Sequence, residues 1–233
     1  MLSEISILES RNPAGQNRMG RPQIAPIDHS KLRETAYYAL CDAFTRGEFA
    51  PGDTVSLRDL AGQLGISMTP VREAVRRLVA EGALIDTPSR TLAVPAFDLR
   101  RMADLKAARL ALESLVLDQA MARATSSDID ALEAILAPDP ARIRPDPKQN
   151  YDFHFGLYRL SGSEVLLPMV EALWLQYGAY MNLIINHEGA PKVDEHVFHR
   201  RIVAALRAGD ADAAKAALID DIERSFRILL PES

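Results

Sequence analysis

The chain has 233 residues, enough to form one or two domains with a sizeable core. Hydrophobic residues make up 48% and aromatic residues 6%, which is typical of a helix-rich soluble protein, and no apolar run reaches the roughly 18 residues that a membrane span needs. The single cysteine, Cys41, excludes an intrachain disulfide, and the N-terminus lacks the basic and apolar regions of a signal peptide. We therefore expect a cytoplasmic protein without a membrane partner.

The net charge of −5 is unevenly distributed along the chain. Residues 1–95 contain eleven basic and eleven acidic residues, so the whole acidic excess lies in the remainder. A neutral module can bind nucleic acid if its basic residues share one face, whereas the acidic remainder is not expected to touch phosphate.

The first segment with a clear helical pattern is Ser30–Gly47, where apolar residues recur every three to four positions. The preceding residues 1–28 contain three prolines and scattered polar residues without periodicity. This composition predicts a disordered arm.

The next pattern is a pair of short helices followed by two β-like runs. Ser56 is placed to cap the first helix and Gly65 to end it. Thr69 and Pro70 fit the cap and first position of a second helix that ends at Gly82. The runs 83–86 and 91–94 then flank a turn at 88–90. This is the order of a winged helix-turn-helix, whose second helix enters the DNA major groove.

Six side chains in this region are candidates for DNA contact. Arginines that share a helix face repel each other, which lowers the stability of the helix unless a polyanion is bound. Hydroxyl groups at the start of a helix are suited to hydrogen bonds with phosphates or base edges. Arg77 differs, because Glu73 and Glu81 lie four residues to either side and can pair with it. The candidates are Arg58, Ser67, Thr69, Arg72, Arg76 and, at the tip of the wing, Arg90.

After Pro95 the sequence predicts helices only. Asp98 caps a long helix to about Ala124, and Ser126 or Ser127 caps a shorter one to about Leu136. The four prolines of 137–147 predict a loop. Further helices are predicted over 148–160, 164–187, 192–208 and 210–229, which together form an all-α bundle.

A second constellation consists of Asn150, His154, His199 and Asp221. The first two are four residues apart and share a helix face, and the last two flank the turn at Gly209 almost symmetrically. In an antiparallel helix pair that symmetry places them at the same level. Imidazole and carboxylate together suit Zn²⁺, Mn²⁺ or Ni²⁺. The alternative is a metal-free polar pocket.

The segment FAPGDTVSLRDLAGQLGISMTPVREAVRRLVAEGALIDTPSRTLAV closely resembles the DNA-binding domain of the GntR family of bacterial transcription regulators. The Pro-Gly turn, the LxxLA helix and the S-x-T-P-V-R-E-A segment carry the resemblance. Two residues depart from it: Met68 stands where the family usually has Arg or Lys, and Thr91 where the wing usually has Gly.

The remainder resembles the FCD ligand-binding domain of the FadR branch of that family, through RLALESLVLDQA, NYDFHFGLYRLSGS and HRRIVAALRAGDADAAKAAL. The resemblance implies that the four residues above bind a divalent metal, with Asp221 where a final His is usual. It also places Arg109 near the pocket, either to hold a carboxylate effector or to pair with Glu113. Trp174 is expected across from Asn150, as a pocket wall or as plain core.

The sequence therefore predicts a mainly α protein: an arm at 1–28, a winged helix-turn-helix domain at 29–97 (the winged half) and an all-helical effector-binding and dimerisation domain at 98–233 (the helical half). Its expected function is that of a homodimeric, ligand-responsive repressor whose partners are a double-stranded DNA operator and a small carboxylate. A dedicated metal sensor is the alternative. A metal-dependent enzyme would leave the winged half unexplained.

Overall fold

The computed structural model describes residues 29–87, 91–137, 146–186 and 196–230; the predicted arm at 1–28 and the hairpin turn at 88–90 lie outside these ranges. Within them the chain order begins with α1 (His29–Thr45), β1 (Thr54–Val55), α2 (Leu57–Leu64), α3 (Met68–Ala80), β2 (Ile85–Asp86) and β3 (Leu92–Ala93). It continues with α4 (Leu99–Met121), α5 (Ser126–Ile135), α6 (Pro147–Arg159), α7 (Leu166–Asn186), α8 (Val197–Ala208) and α9 (Ala211–Leu229). The predicted fold class, a winged helix followed by a helical bundle, is confirmed.

The helix pair of the winged half begins and ends largely as its capping residues predict. The Ser56 side chain accepts a hydrogen bond from the Asp59 amide, and Gly65 ends α2 in the left-handed conformation at φ 65°. The predicted start of α3 is wrong by two residues. Ser67, not Thr69, is the N-cap residue, although its side chain makes no cap hydrogen bond, so Pro70 lies third in the helix.

The wing is a three-stranded antiparallel sheet of order β1-β3-β2. Thr54 and Ile85 both pair with Ala93, which lies on the central strand. The two predicted β-like runs supply β2 and β3, and β1 was not predicted. All three strands contribute residues to a groove that α3 also lines.

The helical half begins where Asp98 caps α4, since its carboxylate accepts from the Arg101 amide at 2.7 Å. The next cap is one residue earlier than predicted, because Thr125 and Asp128 form a reciprocal capping box at the start of α5. Gly209 ends α8 at φ 67°, and Asp210 caps α9 immediately afterwards. The two helices therefore form an antiparallel hairpin, as predicted.

The described residues form two apolar cores, and α7 contributes to both. The core of the winged half includes Leu175 and Ala179 from α7, while Trp174 and Tyr177 of the same helix lie in the core of the helical half. The contact is close: a Cβ at Gly178 would lie 2.5 Å from the Phe44 carbonyl oxygen of α1. Only glycine allows α1 to approach α7 to this distance.

None of the helices in the described ranges combines the length and the apolar character needed to cross a bilayer.

Candidate metal centre and nucleic-acid interface

Three of the four residues predicted to bind a metal converge inside the helical half. His154 on α6 has its Nε2 atom 3.1 Å from Asp221 Oδ2 on α9 and 3.1 Å from His199 Nε2 on α8. His199 Nε2 lies 3.6 Å from the same carboxylate oxygen. All three residues are buried. The antiparallel hairpin of α8 and α9 brings His199 and Asp221 to the same level, and α6 supplies the third side chain.

The hydrogen bonds around His154 determine which of its nitrogens carries a proton. The Tyr158 hydroxyl donates its only hydrogen to Glu113, so it accepts from His154 Nδ1, which lies 3.0 Å away. In a neutral imidazole Nε2 is then a lone-pair atom, and it faces the Asp221 oxygen, which is also an acceptor. Two acceptors at this distance repel each other unless a cation lies between them, either a proton or a metal ion.

Burial disfavours the proton as that cation. Burial lowers the pKa of His154 below its ordinary value, and the neighbouring His199 lowers it further, although the hydrogen bond and charge of Asp221 oppose this shift. Burial by itself raises the pKa of Asp221, but His199 and His154 outweigh it and hold that pKa well below its usual range. Burial therefore favours a neutral His154, and Asp221 is held as a carboxylate; metal binding requires these protonation states of the two groups.

The three ligand atoms also have the spacing of a coordination shell. Two atoms that each lie about 2.1 Å from one ion are about 3.0 Å apart at a right angle and about 3.6 Å apart at about 120°. The observed separations of 3.1, 3.1 and 3.6 Å fall in this range. They form the one group of three or more His, Cys, Asp or Glu side chains with metal-ligand spacing among the described residues. Asn150 is half-buried one turn before His154 on α6.

A buried hydrogen-bond chain continues from His154 towards α4. Glu113, which accepts from Tyr158, also accepts from Arg109 Nε at 2.5 Å and from Arg109 Nη2 at 3.3 Å. Of the two roles expected for Arg109, a contact with a carboxylate effector or an ion pair with Glu113, the structure therefore contains the ion pair. Tyr158 was not predicted from the sequence, where its spacing of four residues from His154 was the available signal.

Aromatic rings enclose the guanidinium of Arg109. Its Cζ lies 4.5 Å from the Trp174 ring centroid and 4.4 Å from that of Tyr177. Trp174 also lies beside the cluster, with its ring 5.1 Å from that of His154. Its indole N–H is buried and has no hydrogen-bond partner among the described residues. A buried donor without an acceptor is costly, so this N–H is available to a ligand.

His196 lies behind the cluster. Its Nδ1 is 3.0 Å from His199 Nδ1, and its Nε2 is 3.0 Å from Gln149 Oε1 on α6. Burial lowers the pKa of His196 to about 4, with a further contribution from His199. Gln149 therefore accepts from His196, whose other nitrogen accepts from His199 and orients it. Gln149 was not singled out from the sequence.

The predicted DNA-contacting arginines lie together on the winged half. Arg58 of α2 and Arg72 and Arg76 of α3 line one groove of about 690 Å³, which the wing closes on the other side. All three are exposed, as are Ser67 and Thr69 at the start of α3. Arg90 lies outside the described residues.

The arginines differ in how they are paired. Arg76 binds Glu73 at 2.8 Å, and Arg77 binds Glu81 at 2.9 Å while its guanidinium stacks 3.6 Å from the Tyr37 ring centroid. Arg58 and Arg72 make no ion pair with any residue in the described part of the chain. Arg77 is thus held by Glu81 and Tyr37, and the Glu73 that was expected to share it pairs with Arg76 instead.

A winged helix with an arginine-lined groove, joined to a helical half with a buried polar cluster, defines the class of DNA-binding transcriptional regulators. Residues 32–94 match the family model described as bacterial regulatory proteins, gntR family, and residues 104–224 match the FCD domain. The chain therefore belongs to the GntR family, and within it to the regulators that carry a C-terminal FCD domain. These are transcriptional regulators and not enzymes.

Individual relatives support this conclusion. The chain is 33% identical over 191 residues to the Nta operon transcriptional regulator of Aminobacter aminovorans, an alignment that covers 78% of this chain and 87% of that protein. It is 29% identical over 214 residues to the HTH-type transcriptional regulator McbR of Escherichia coli strain K12, covering 89% and 97% of the two chains. The solved structure of E. coli McbR/YncC superposes with a TM-score of 0.76 at 27% identity, covering 85% of this chain and 96% of that one.

Proposed function

We propose that the chain is a metal-dependent, ligand-responsive repressor. Two copies bind a double-stranded operator in the cytoplasm through their winged halves, and each helical half holds a divalent ion to which a small carboxylate binds. The observation that carries the proposal is the convergence of His154, His199 and Asp221, whose acceptor atoms face one another inside the helical half.

His154, His199 and Asp221 would hold the ion, and Asn150 is the proposed fourth protein ligand. Two imidazoles with one carboxylate suit Zn²⁺, Mn²⁺ or Ni²⁺. The ion supplies a Lewis-acid site for a carboxylate oxygen. Tyr158 and His196 keep the two imidazoles oriented through their second nitrogens.

The surroundings of the cluster favour an effector with a second hydrogen-bond acceptor. The Trp174 indole N–H, buried beside His154 without a partner among the described residues, is the donor for that acceptor. Arg109 has two of its nitrogens bound to Glu113, so only Nη1 remains for a ligand. We therefore assign Arg109 a secondary role in holding the effector and Trp174 a direct one.

On the winged half, the proposed DNA contacts are those of Arg58, Arg72 and Arg76, together with the hydroxyls of Ser67 and Thr69. Arg58 and Arg72 have no competing ion pair in the described structure, whereas Arg76 must leave Glu73 before it can bind a phosphate. Arg90, at the tip of the wing, is proposed to reach the neighbouring backbone or minor groove. Two copies would bind half-sites about one helical turn apart.

The first experiment measures metal and effector binding on the full-length protein. After chelation and reloading, elemental analysis should give one Zn²⁺, Mn²⁺ or Ni²⁺ per chain, and His154→Ala and His199→Ala should each abolish this content. A thermal-shift screen of small carboxylates should then find a ligand only in the metal-loaded protein. Metal-free protein that responds equally to a carboxylate would contradict the proposal.

The second experiment concerns the operator. Arg72→Ala should weaken operator binding by about 1–3 kcal/mol if the side chain contacts a base, without unfolding the protein, because the side chain is exposed. Arg77→Ala is the matched control, since this guanidinium is already bound by Glu81 and Tyr37. Equal effects of the two substitutions would refute the proposed interface.

The complete burial of the cluster also favours a second candidate, a regulator for which the ion itself is the effector. In that case the metal alone, at fixed ionic strength, would change operator affinity. If a carboxylate is the effector, the metal would change operator affinity only together with that carboxylate.

A further inference from the structure

Met68 is the first residue of α3, and its side chain is 48% exposed. The winged half leaves three other large apolar side chains exposed within the described residues, Tyr38, Ile85 and Phe97, but Met68 alone lies on α3. A single exposed apolar residue is ordinary on a protein surface, so exposure by itself indicates nothing. The position of Met68 is what matters.

Met68 lines the same groove as Arg58, Arg72 and Arg76. It precedes Arg72 by four residues and Arg76 by eight, so the three side chains follow one face of α3. If Arg72 reaches base edges, Met68 one turn earlier faces a neighbouring base. The inference therefore depends on the proposed DNA interface.

The chemistry of a thioether restricts what Met68 can contact there. Its side chain has no charge for a phosphate and only a weak acceptor, so it cannot replace a basic residue as a hydrogen-bond donor. Among the groups that base pairs present in the major groove, the 5-methyl group of thymine is the apolar one. Burial of the Met68 side chain against any other base edge would leave a polar group of that base without a partner.

We propose that Met68 determines sequence specificity by packing against the 5-methyl group of one thymine in each half-site. The operator then carries thymine at the position facing the first turn of α3. The affinity gained from that methyl group depends on an apolar side chain at position 68.

The test uses a duplex selected from a random library by the full-length protein. Each thymine is replaced singly by deoxyuridine, which removes the methyl group and keeps every hydrogen-bonding group. In each half-site, one of these single replacements should weaken binding about fourfold at fixed salt. This corresponds to about 0.8 kcal/mol, the free energy of burying one methyl or methylene group. The other replacements should have much smaller effects.

Substitutions at Met68 decide whether this side chain reads the methyl group. Met68→Gln keeps the length and helix propensity but is polar, so the deoxyuridine effect should disappear; Met68→Leu should retain it. Met169→Gln is the matched control, because Met169 is also 48% exposed but lies on α7. It should leave the fourfold effect unchanged.

The outcomes distinguish this inference from the proposed function. If no duplex is selected, or Arg72→Ala binds normally, the DNA interface is wrong and the role of Met68 is wrong with it. If binding depends on Arg72 but no thymine is sensitive to loss of its methyl group, or the sensitivity persists in Met68→Gln, only the assignment of Met68 is overturned.

Discussion

Tyr158→Phe should separate the geometry of the metal centre from its ligands. The substitution removes one oxygen atom that accepts from His154 Nδ1 and donates to Glu113, and it leaves the three ligand side chains in place. His154 then loses the partner that fixes its tautomer and ring orientation. Loss of such a partner costs 10- to 100-fold in metal affinity, or about 1.4–2.7 kcal/mol.

The assay is a Zn²⁺ titration of the full-length protein against a chromophoric chelator at neutral pH. Metal-free Tyr158→Phe should also be less stable, because Glu113 loses a buried hydrogen bond, so metal affinity and unfolding are measured separately. Tyr177→Phe is the control, since Tyr177 is equally buried and also contacts Arg109 but has no bond to His154. A folded Tyr158→Phe protein with unchanged Zn²⁺ affinity would refute the orientation argument.

Two further predictions concern stability. The pKa values of His154 and His196 are lowered by burial, the latter to about 4, so below about pH 6.5 the unfolded chain binds more protons than the folded chain. Urea unfolding of metal-free protein should show stability falling from pH 6.5 towards pH 4, by about 1.4 kcal/mol per pH unit for each proton; a flat profile would contradict the buried neutral state. Gly178→Ala should lower the free energy of unfolding by about 1–3 kcal/mol, because its Cβ would lie 2.5 Å from a backbone oxygen of α1. Gly62→Ala should raise the free energy of unfolding by up to about 1 kcal/mol, because its Cβ would have no atom within 4 Å. Thermal melts in which the Tm of both variants changes in the same direction would be inconsistent with the packing.

The meeting of His199 and Asp221 was predictable because it depends on local rules. A glycine that ends one helix and an aspartate that caps the next define a tight helical hairpin, and equal spacing from the turn then sets the level of each residue. His154 on α6 joins them through tertiary packing, for which the sequence offered only the shared helix face with Asn150.

Other features depend on choices that local sequence leaves open. Ser67 and Thr69 are both residue types that cap helices. Pro70 is tolerated anywhere in the first turn, because no amide there has an intrahelical partner. Both starts of α3 were therefore compatible with the sequence. The two-residue strand β1 has no alternating pattern to detect. The contact of Tyr158 with Glu113 joins two helices and has no signature in either.

The packing of α7 links the buried cluster to the DNA-binding half. On one side Trp174 and Tyr177 hold Arg109 between their rings, next to His154. On another side the Gln176 amide donates to the Glu81 carbonyl oxygen, just after the end of α3, at 3.0 Å. A ligand that shifts α7 through Trp174 would therefore act on both cores, and packed interfaces respond to such shifts by changing between discrete arrangements. The effector can change operator affinity only to the extent that it binds one of those arrangements more tightly.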